Sequence, residues 1–162
     1  MARDIVMQPD SKSRTLSDWL ICLEHLHPKT IELGLERVNR VRAELGLVPF
    51  FPIIAVGGTN GKGSTCAMME AILSRAGYRV GCYTSPHLLR YNERVRINRQ
   101  EARDDELCNA FHVVESARVR SGISLTYFEF GTLAAMQLFS QAGVDVAVLE
   151  VGLGGRLDAV NI

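Results

Sequence analysis

The sequence predicts an α/β domain in which helices flank a parallel sheet. Short apolar segments at 53–56, 79–83 and 145–150 contain many β-branched residues, as buried strands do. A helical pattern of apolar residues separates the first two segments and ends at Gly77. A strand, a helix and a strand in this succession form a βαβ unit, in which the strands run parallel.

A glycine-rich loop, residues 57–65, lies between the first strand and this helix. Glycines let backbone N–H groups come close to an anion, and the helix that follows directs its positive end to the same place. The loop therefore predicts a phosphate site in which Lys62 reaches the outer phosphates and Ser64 or Thr65 offers a hydroxyl to Mg²⁺. The residues expected to bind the nucleotide are Gly58, Thr59, Asn60, Gly61, Lys62, Gly63, Ser64 and Thr65.

The spacing of this loop departs from the common phosphate-loop pattern G-x-x-x-x-G-K-[ST]. Val56 stands where the first glycine would be, and Gly63 separates the lysine from the hydroxyl. The alternative is a glycine-rich turn with an exposed lysine. The strand before the loop and the helix after it favour phosphate binding.

Glu150 ends the apolar segment 145–150. Enzymes with a phosphate loop often present a carboxylate to Mg²⁺ from the end of such a strand, so Glu150 is a candidate metal ligand; a solvated carboxylate is the alternative. Residues 84–88 leave the second strand at the edge where ligands bind in open α/β sheets. His87 in this segment is expected to be a structural hydrogen-bonding residue.

Composition limits the possible partners and the cellular location. The 162 residues are 47% hydrophobic and carry a formal net charge of zero, which predicts one domain and no general affinity for nucleic acid or anionic membranes. No apolar run is long enough to span a membrane, and the polar N terminus is unlike a secretory signal, so we expect a cytoplasmic protein. Its four cysteines, which form no C-x-x-C pair, are expected to be free thiols.

Helical patterns fill much of the remaining chain, after a tail to about Arg14 that is expected to be flexible. Their apolar stripes predict four helices, of which the first is capped by Thr15 or Ser17. The stripes are Leu16, Trp19, Leu20, Leu23 and Leu26; Leu35, Val38, Val41 and Leu45; Leu107, Ala110, Phe111, Val114 and Ala117; and the almost wholly apolar segment 132–139.

Charged residues in two segments leave alternatives open. Arg90, Arg94, Arg96 and Arg99 suit either a solvated strand face or an attraction for anionic substrates. Glu129 lies beside Tyr127, Phe128 and Phe130, of which at least two are expected to be core residues. A carboxylate in such surroundings needs a partner or water, so Glu129 is a candidate for substrate binding.

Several motifs together resemble those of the bacterial bifunctional dihydrofolate synthase/folylpolyglutamate synthases, a family of the Mur ligase superfamily. The resemblance covers the chain from about Leu16 to its last residue. Its motifs are T-I-E-L-G-L-E-R at 30–37, G-T-N-G-K-G-S at 58–64, T-S-P-H-L at 84–88, Y-F-E at 127–129 and E-V-G-L-G-G-R-L-D at 150–158.

The resemblance implies a Mur-ligase-type ATPase domain that uses ATP and Mg²⁺. It assigns Ser85 to the metal, beside the candidates Glu150 and Ser64, and Lys62 to the transferred phosphoryl group. The residues it assigns to the folate substrate are Glu32, Leu33, Gly34, Leu35, Thr126, Tyr127, Glu129, Leu157, Asp158 and Ala159.

The implied reaction adds L-glutamate to dihydropteroate and to folates through an acyl phosphate, in an enzyme that is monomeric at full length. Family members continue well past Ile162, so residues 15–162 are expected to be the N-terminal part of the ATPase domain, without the C-terminal domain and inactive alone. An unfinished sheet edge predicts self-association. A stand-alone ATPase and a non-catalytic folate-binding product remain as alternatives.

Overall fold

The computed structural model describes residues 14–29 and 31–162. The predicted flexible tail therefore lies outside the described residues except for Arg14, whose guanidinium lies 5.3 Å from the centre of the Trp19 ring. Thr30 of the T-I-E-L-G-L-E-R motif is also outside them.

The predicted helices and strands occur in the predicted order, and the structure adds the short strand Gln100–Glu101. The helices are α1 (Leu16–Glu24), α2 (Glu36–Leu45), α3 (Lys62–Arg75), α4 (Asp104–Ser121) and α5 (Tyr127–Ala142). The strands are β1 (Ile53–Val56), β2 (Val80–Tyr83), β3 (Val95–Ile97), β4 (Gln100–Glu101) and β5 (Val146–Glu150). Short 3₁₀ turns span Tyr91–Arg94 and Ala159–Asn161.

The described strands form one mixed sheet in the order β1-β5-β2-β3-β4. Strands β1, β5 and β2 run parallel, as the sequence predicts, and β3 and β4 extend the sheet in antiparallel fashion. Val56 pairs with Glu150, and Tyr83 pairs with Leu149. The carboxyl ends of the three parallel strands therefore lie side by side at one edge of the sheet.

Helices cover both faces of this sheet. On one face α1, α2, α4 and α5 enclose the main core, where the Trp19 and Phe130 rings pack around Phe111 with centroid distances of 5.9 and 5.6 Å. On the other face α3 covers a smaller cluster that includes Cys66, Cys82 and Val148. Burial of these large apolar side chains is the main source of stability for such a domain.

The segment 53–56 forms the predicted strand, but the predicted burial holds for only part of it. Only Val56 is buried, Ile53 and Ile54 are half-buried, and Ala55 is exposed. The reason is the position of β1 at the end of the described sheet, where β5 is its only partner. An apolar run shows that a strand can be buried, but the position of the strand in the sheet decides how many of its side chains are covered.

The cysteines of the described region are free thiols, as predicted. Burial raises the pKa of Cys66 to about 11 and that of Cys82 to about 12, so both stay protonated at neutral pH. None of the described helices combines the length and apolar character needed to cross a membrane.

Candidate active site

The glycine loop connects β1 to α3 in the manner of a phosphate-binding loop. Gly61 precedes the first residue of α3 with a φ of 76°, a backbone conformation that favours glycine. The Lys62 ammonium folds back over the loop and donates a hydrogen bond to the Gly58 carbonyl, 3.0 Å away. The N-terminal N–H groups of α3 and this ammonium thus converge on the space above the loop.

The structure distinguishes the two hydroxyls that the sequence left open as metal ligands. Thr65 Oγ1 donates to the Gly61 carbonyl at 2.9 Å, which holds it against the helix backbone. Ser64 is exposed, and its hydroxyl makes no hydrogen bond to any described residue. Ser64 is therefore the hydroxyl that is available to a ligand.

Glu150 and Ser85 meet next to this loop. β5 lies between β1 and β2, so its last residue, Glu150, lies beside the start of the loop. The Ser85 N–H donates to Glu150 Oε2 at 3.0 Å, and a methyl group on Gly63 would lie 4.0 Å from the same oxygen. The carboxylate is 5% exposed, and no lysine or arginine of the described residues forms an ion pair with it.

This oxygen arrangement suits Mg²⁺ bound together with phosphate. Mg²⁺ sites in nucleotide enzymes use one or two protein oxygens, the phosphates and water. Glu150, Ser85 and Ser64 could supply the protein oxygens. Within the described residues no group of three or more histidine, cysteine, aspartate or glutamate side chains could bind a metal alone.

A cavity of ≈ 690 Å³ opens beside Ser85. Most of the residues assigned to the folate substrate line it: Glu32, Leu33, Gly34, Thr126, Tyr127, Glu129, Leu157, Asp158 and Ala159. Leu35 does not, because it directly precedes α2 and packs partly against the main core. Residues separated by more than a hundred positions in the sequence thus share one wall.

Glu129 is held by α5 and by Arg37. Its Oε2 accepts from the Thr126 N–H at 2.8 Å, and its N–H donates to Thr126 Oγ1 at 3.2 Å, which caps the helix. Its Oε1 accepts from Arg37 Nη2 at 2.8 Å. Both carboxylate oxygens are therefore occupied by protein groups, which gives this buried acid the partner that it needs.

Arg37 also fixes the cavity-wall segment, of which residues 27–29 and 31–34 are described. Its Nη1 lies 3.1 Å from Glu32 Oε1, and Glu32 Oε2 lies 3.0 Å from His27 Nε2. The Gly34 N–H donates to the Leu157 carbonyl at 3.4 Å, which joins this segment to the opposite wall. We did not single out Arg37 from the sequence; the available signal is its place in the first turn of α2, where a cation opposes the helix dipole.

The four arginines after β2 separate into different environments. Arg90 pairs with Glu101 on the surface, Arg96 pairs with Glu70 at 2.9 Å beneath the sheet, and Arg99 is exposed. Only Arg94 lines the cavity. The solvated face that the sequence left open therefore describes Arg90 and Arg99, and the charge near a substrate describes Arg94.

His87 is a structural hydrogen-bonding residue, as predicted. Its Nδ1 accepts from Arg94 Nε at 2.8 Å. Burial and the neighbouring Arg94 lower the pKa of His87, which keeps the ring neutral and able to accept.

Aromatic residues shape the cavity more than the sequence suggests. Phe130 is fully buried in the main core. Tyr127 and Phe128 are half-buried, pack against the core and also line the cavity, so the prediction that at least two of the three are core residues holds fully for Phe130 and in part for the other two. Helical periodicity points Phe130 towards the main core. Tyr127 and Phe128 lie in the first turn of α5 on other sides of the helix. A Cβ on Gly152 would lie 2.7 Å from the Phe128 ring, which explains the glycine there.

Asp158 organises the loop that follows β5. Its carboxylate accepts from the N–H groups of Leu153 at 2.8 Å and Val160 at 3.1 Å, and the side chain is buried. This arrangement places Leu157 and Ala159 in the cavity wall.

Comparisons with known proteins agree with this geometry. No protein-family model matches the sequence. The dihydrofolate synthase/folylpolyglutamate synthase of Escherichia coli is 55% identical over 159 residues, which are 98% of this chain and 37% of that protein. By sequence, the chain matches the N-terminal part of the dihydrofolate synthase/folylpolyglutamate synthase family.

Solved structures of this family have the same fold. E. coli FolC in complex with DHPP and ADP superimposes with a TM-score of 0.88 at 57% identity, over 92% of this chain and 36% of that one. A bifunctional folylpolyglutamate synthase/dihydrofolate synthase with Mn, AMPPNP and L-glutamate bound gives 0.87 at 57% identity, over 95% and 37%. The chain thus spans about a third of the length of the family members that it matches.

Proposed function

We propose that residues 15–162 are the N-terminal part of the ATPase domain of an ATP-dependent ligase that adds L-glutamate to dihydropteroate and to folates. One observation carries this proposal. The glycine loop, Glu150 and Ser85 lie together at the carboxyl edge of the sheet, and Ser85 also lines the 690 Å³ cavity. A nucleotide site that opens into a cavity of ligand size is the arrangement needed to phosphorylate a bound carboxylate.

The loop would hold ATP through its backbone N–H groups and the start of α3, with Lys62 on the outer phosphates. Mg²⁺ held by Ser85, Glu150 and Ser64 would neutralise charge on the phosphates. A substrate carboxylate oxygen attacks the γ-phosphorus and ADP leaves. The amine of L-glutamate then attacks the carbonyl carbon of the acyl phosphate, an amide forms, and phosphate leaves with the amine's proton released to solvent.

The cavity would hold the folate substrate. Phe128 and Tyr127 offer ring faces and edges to an aromatic ligand, and Thr126, Glu32 and His27 add polar groups to the same cavity lining. The relatives' structures with DHPP, ADP and L-glutamate support small-molecule substrates of this kind. The free cysteines support a reducing, cytoplasmic location, and we propose a monomeric state for the complete enzyme.

Nucleotide binding tests the proposal directly. Titration of the purified chain with ATP and Mg²⁺ in a calorimeter should show one site. Lys62→Ala should weaken that binding roughly tenfold or more, because a charge-assisted contact to phosphate is lost.

Arg75→Ala is the matched control, since Arg75 is an exposed cation in the last turn of the same helix, away from the loop. It should leave the affinity unchanged. Absence of ATP binding by the wild-type chain, or equal affinity in the Lys62→Ala variant, would contradict the proposal.

A further inference from the structure

Arg94 is a cation in the cavity wall that lacks a carboxylate partner. The wall's other cation, Lys29, lies 3.5 Å from Glu32, whereas Arg94 forms no ion pair with any residue that the structure describes. Its side chain is half-buried. A guanidinium that is partly withdrawn from water gives up hydration, and no anion of the described residues compensates its charge.

The guanidinium is nevertheless held in one orientation. Its Nε donates to His87 Nδ1 at 2.8 Å. Its central carbon lies 5.5 Å from the ring centre of Tyr91 and 5.4 Å from that of Tyr127. The terminal nitrogens Nη1 and Nη2 bind no carboxylate of the described residues, and the Tyr83 hydroxyl is a further polar neighbour of the guanidinium. They therefore form a preorganised fork of the shape that a carboxylate fits.

The buried and half-buried acids of the cavity are bound within the protein, and the remaining acid of the wall, Glu24, is exposed. Glu129 and Glu32 bind Arg37, and Asp158 accepts two backbone N–H groups. Arg94 is thus the group in this wall that a ligand carboxylate could pair with at least cost. His87 and the two tyrosine rings already hold the guanidinium in place, so little conformational entropy is lost when a ligand binds it.

The reacting carboxylate is a poor partner for this arginine. It loses negative charge as its oxygen attacks phosphorus, so an ion pair to it would favour the ground state over the transition state. Dihydropteroate carries this carboxylate alone. A folate that ends in glutamate carries a second carboxylate, which does not react.

We propose that Arg94 binds the non-reacting carboxylate of glutamate-terminated folates, and so contributes to the affinity for folates but not to that for dihydropteroate. This inference rests on the proposed function of the cavity. It makes Arg94 a specificity residue between two substrates that share one site.

Binding of two commercial ligands to the purified chain tests the inference. Folic acid ends in glutamate, whereas pteroic acid ends in the benzoate carboxylate. Calorimetric titration should show that Arg94→Gln weakens folic acid binding roughly tenfold or more and leaves pteroic acid binding within about twofold. Arg94→Lys keeps the charge without the fork and should give an intermediate loss for folic acid alone.

Arg90→Gln is the matched control, because Arg90 pairs with Glu101 outside the cavity. It should change neither affinity. If both Arg94 variants weaken the binding of folic acid and pteroic acid equally, Arg94 supports the structure of the cavity or binds the carboxylate that both ligands share. If neither affinity changes, Arg94 does not contact the ligand. Either result overturns the inference. If the wild-type chain binds neither ligand, the proposed function of the cavity is contradicted together with the inference. If the wild type binds both ligands and Arg94→Gln does not distinguish them, only the inference about Arg94 is contradicted.

Discussion

The proposed role of Glu150 as a Mg²⁺ ligand depends on the groups around its carboxylate. Its buried carboxylate accepts from the Ser85 N–H and has no cationic partner among the described side chains. In Glu150→Gln the amide oxygen can keep that hydrogen bond while the charge is lost. We expect Mg²⁺ to raise the ATP affinity of the wild type roughly tenfold or more, and we expect this gain to disappear in Glu150→Gln. The ATP affinity of the variant in EDTA should equal or exceed that of the wild type, because a negative charge near the phosphates is gone. Calorimetry with and without Mg²⁺ measures both values. Glu101→Gln on the surface is the control, and an undiminished Mg²⁺ gain in Glu150→Gln would contradict the assignment.

The cavity-wall segment, described at residues 27–29 and 31–34, is an irregular element whose position depends on one ion-pair network. Arg37 joins Glu32 of this segment to the buried Glu129 at the start of α5. Arg37→Met should lower the free energy of unfolding by roughly 3 kcal/mol, because Glu129 is left buried without its cation. Urea unfolding measures the loss. Arg120→Met breaks a pair of similar chemistry with Glu44 at the surface and should cost less than about 1 kcal/mol. Equal losses in the two variants would show that the network does not depend on burial.

The sheet of the whole molecule ends at β1 with an edge that no described strand covers. Ala55 on this strand is exposed, and Phe50 just before it is 96% exposed. Unpaired strand edges beside apolar side chains favour association, so sedimentation velocity should show self-association that increases with concentration. Phe50→Lys should reduce it through charge repulsion and lost apolar area. Val119→Lys changes an exposed apolar residue of α4 instead and should have little effect. A single monomeric species at every concentration would disprove this expectation.

Local patterns of the sequence were sufficient for many features of the fold. The spacing of Trp19 and Leu23 predicted α1. Gly46, Gly122 and Gly143 directly follow α2, α4 and α5 in the left-handed conformation, which is a common end of a helix. Alternating residues around Arg94 and Arg96 favoured a short strand, and β3 lies there. The two-residue strand β4 and the antiparallel pairing of both strands were less accessible, because so short a strand carries little periodic signal.

The candidate site was predictable in its parts more than in its assembly. The glycine loop and Glu150 follow from residue types at strand ends, and the βαβ pattern predicts that the strands are parallel. The position of β5 between β1 and β2, which makes the loop and Glu150 neighbours, is decided by the structure. Arg37 and Arg94 were not distinguishable from other arginines, because their roles depend on partners from α5 and from the segments around His87 and Tyr91. The choice of Ser64 over Thr65 likewise depended on a hydrogen bond that only the helix geometry provides.

The sequence by itself determined the α/β class, the phosphate loop and the kinds of residue that serve it, because these depend on contacts within a few turns of chain. Only the tertiary structure decided that β1 is half-exposed, that Glu129 is neutralised by Arg37 and that Arg94 faces the cavity. These features depend on which distant segments meet. Burial and charge pairing act through space, so their outcome is fixed only when the sheet order and the helix packing bring the partners together.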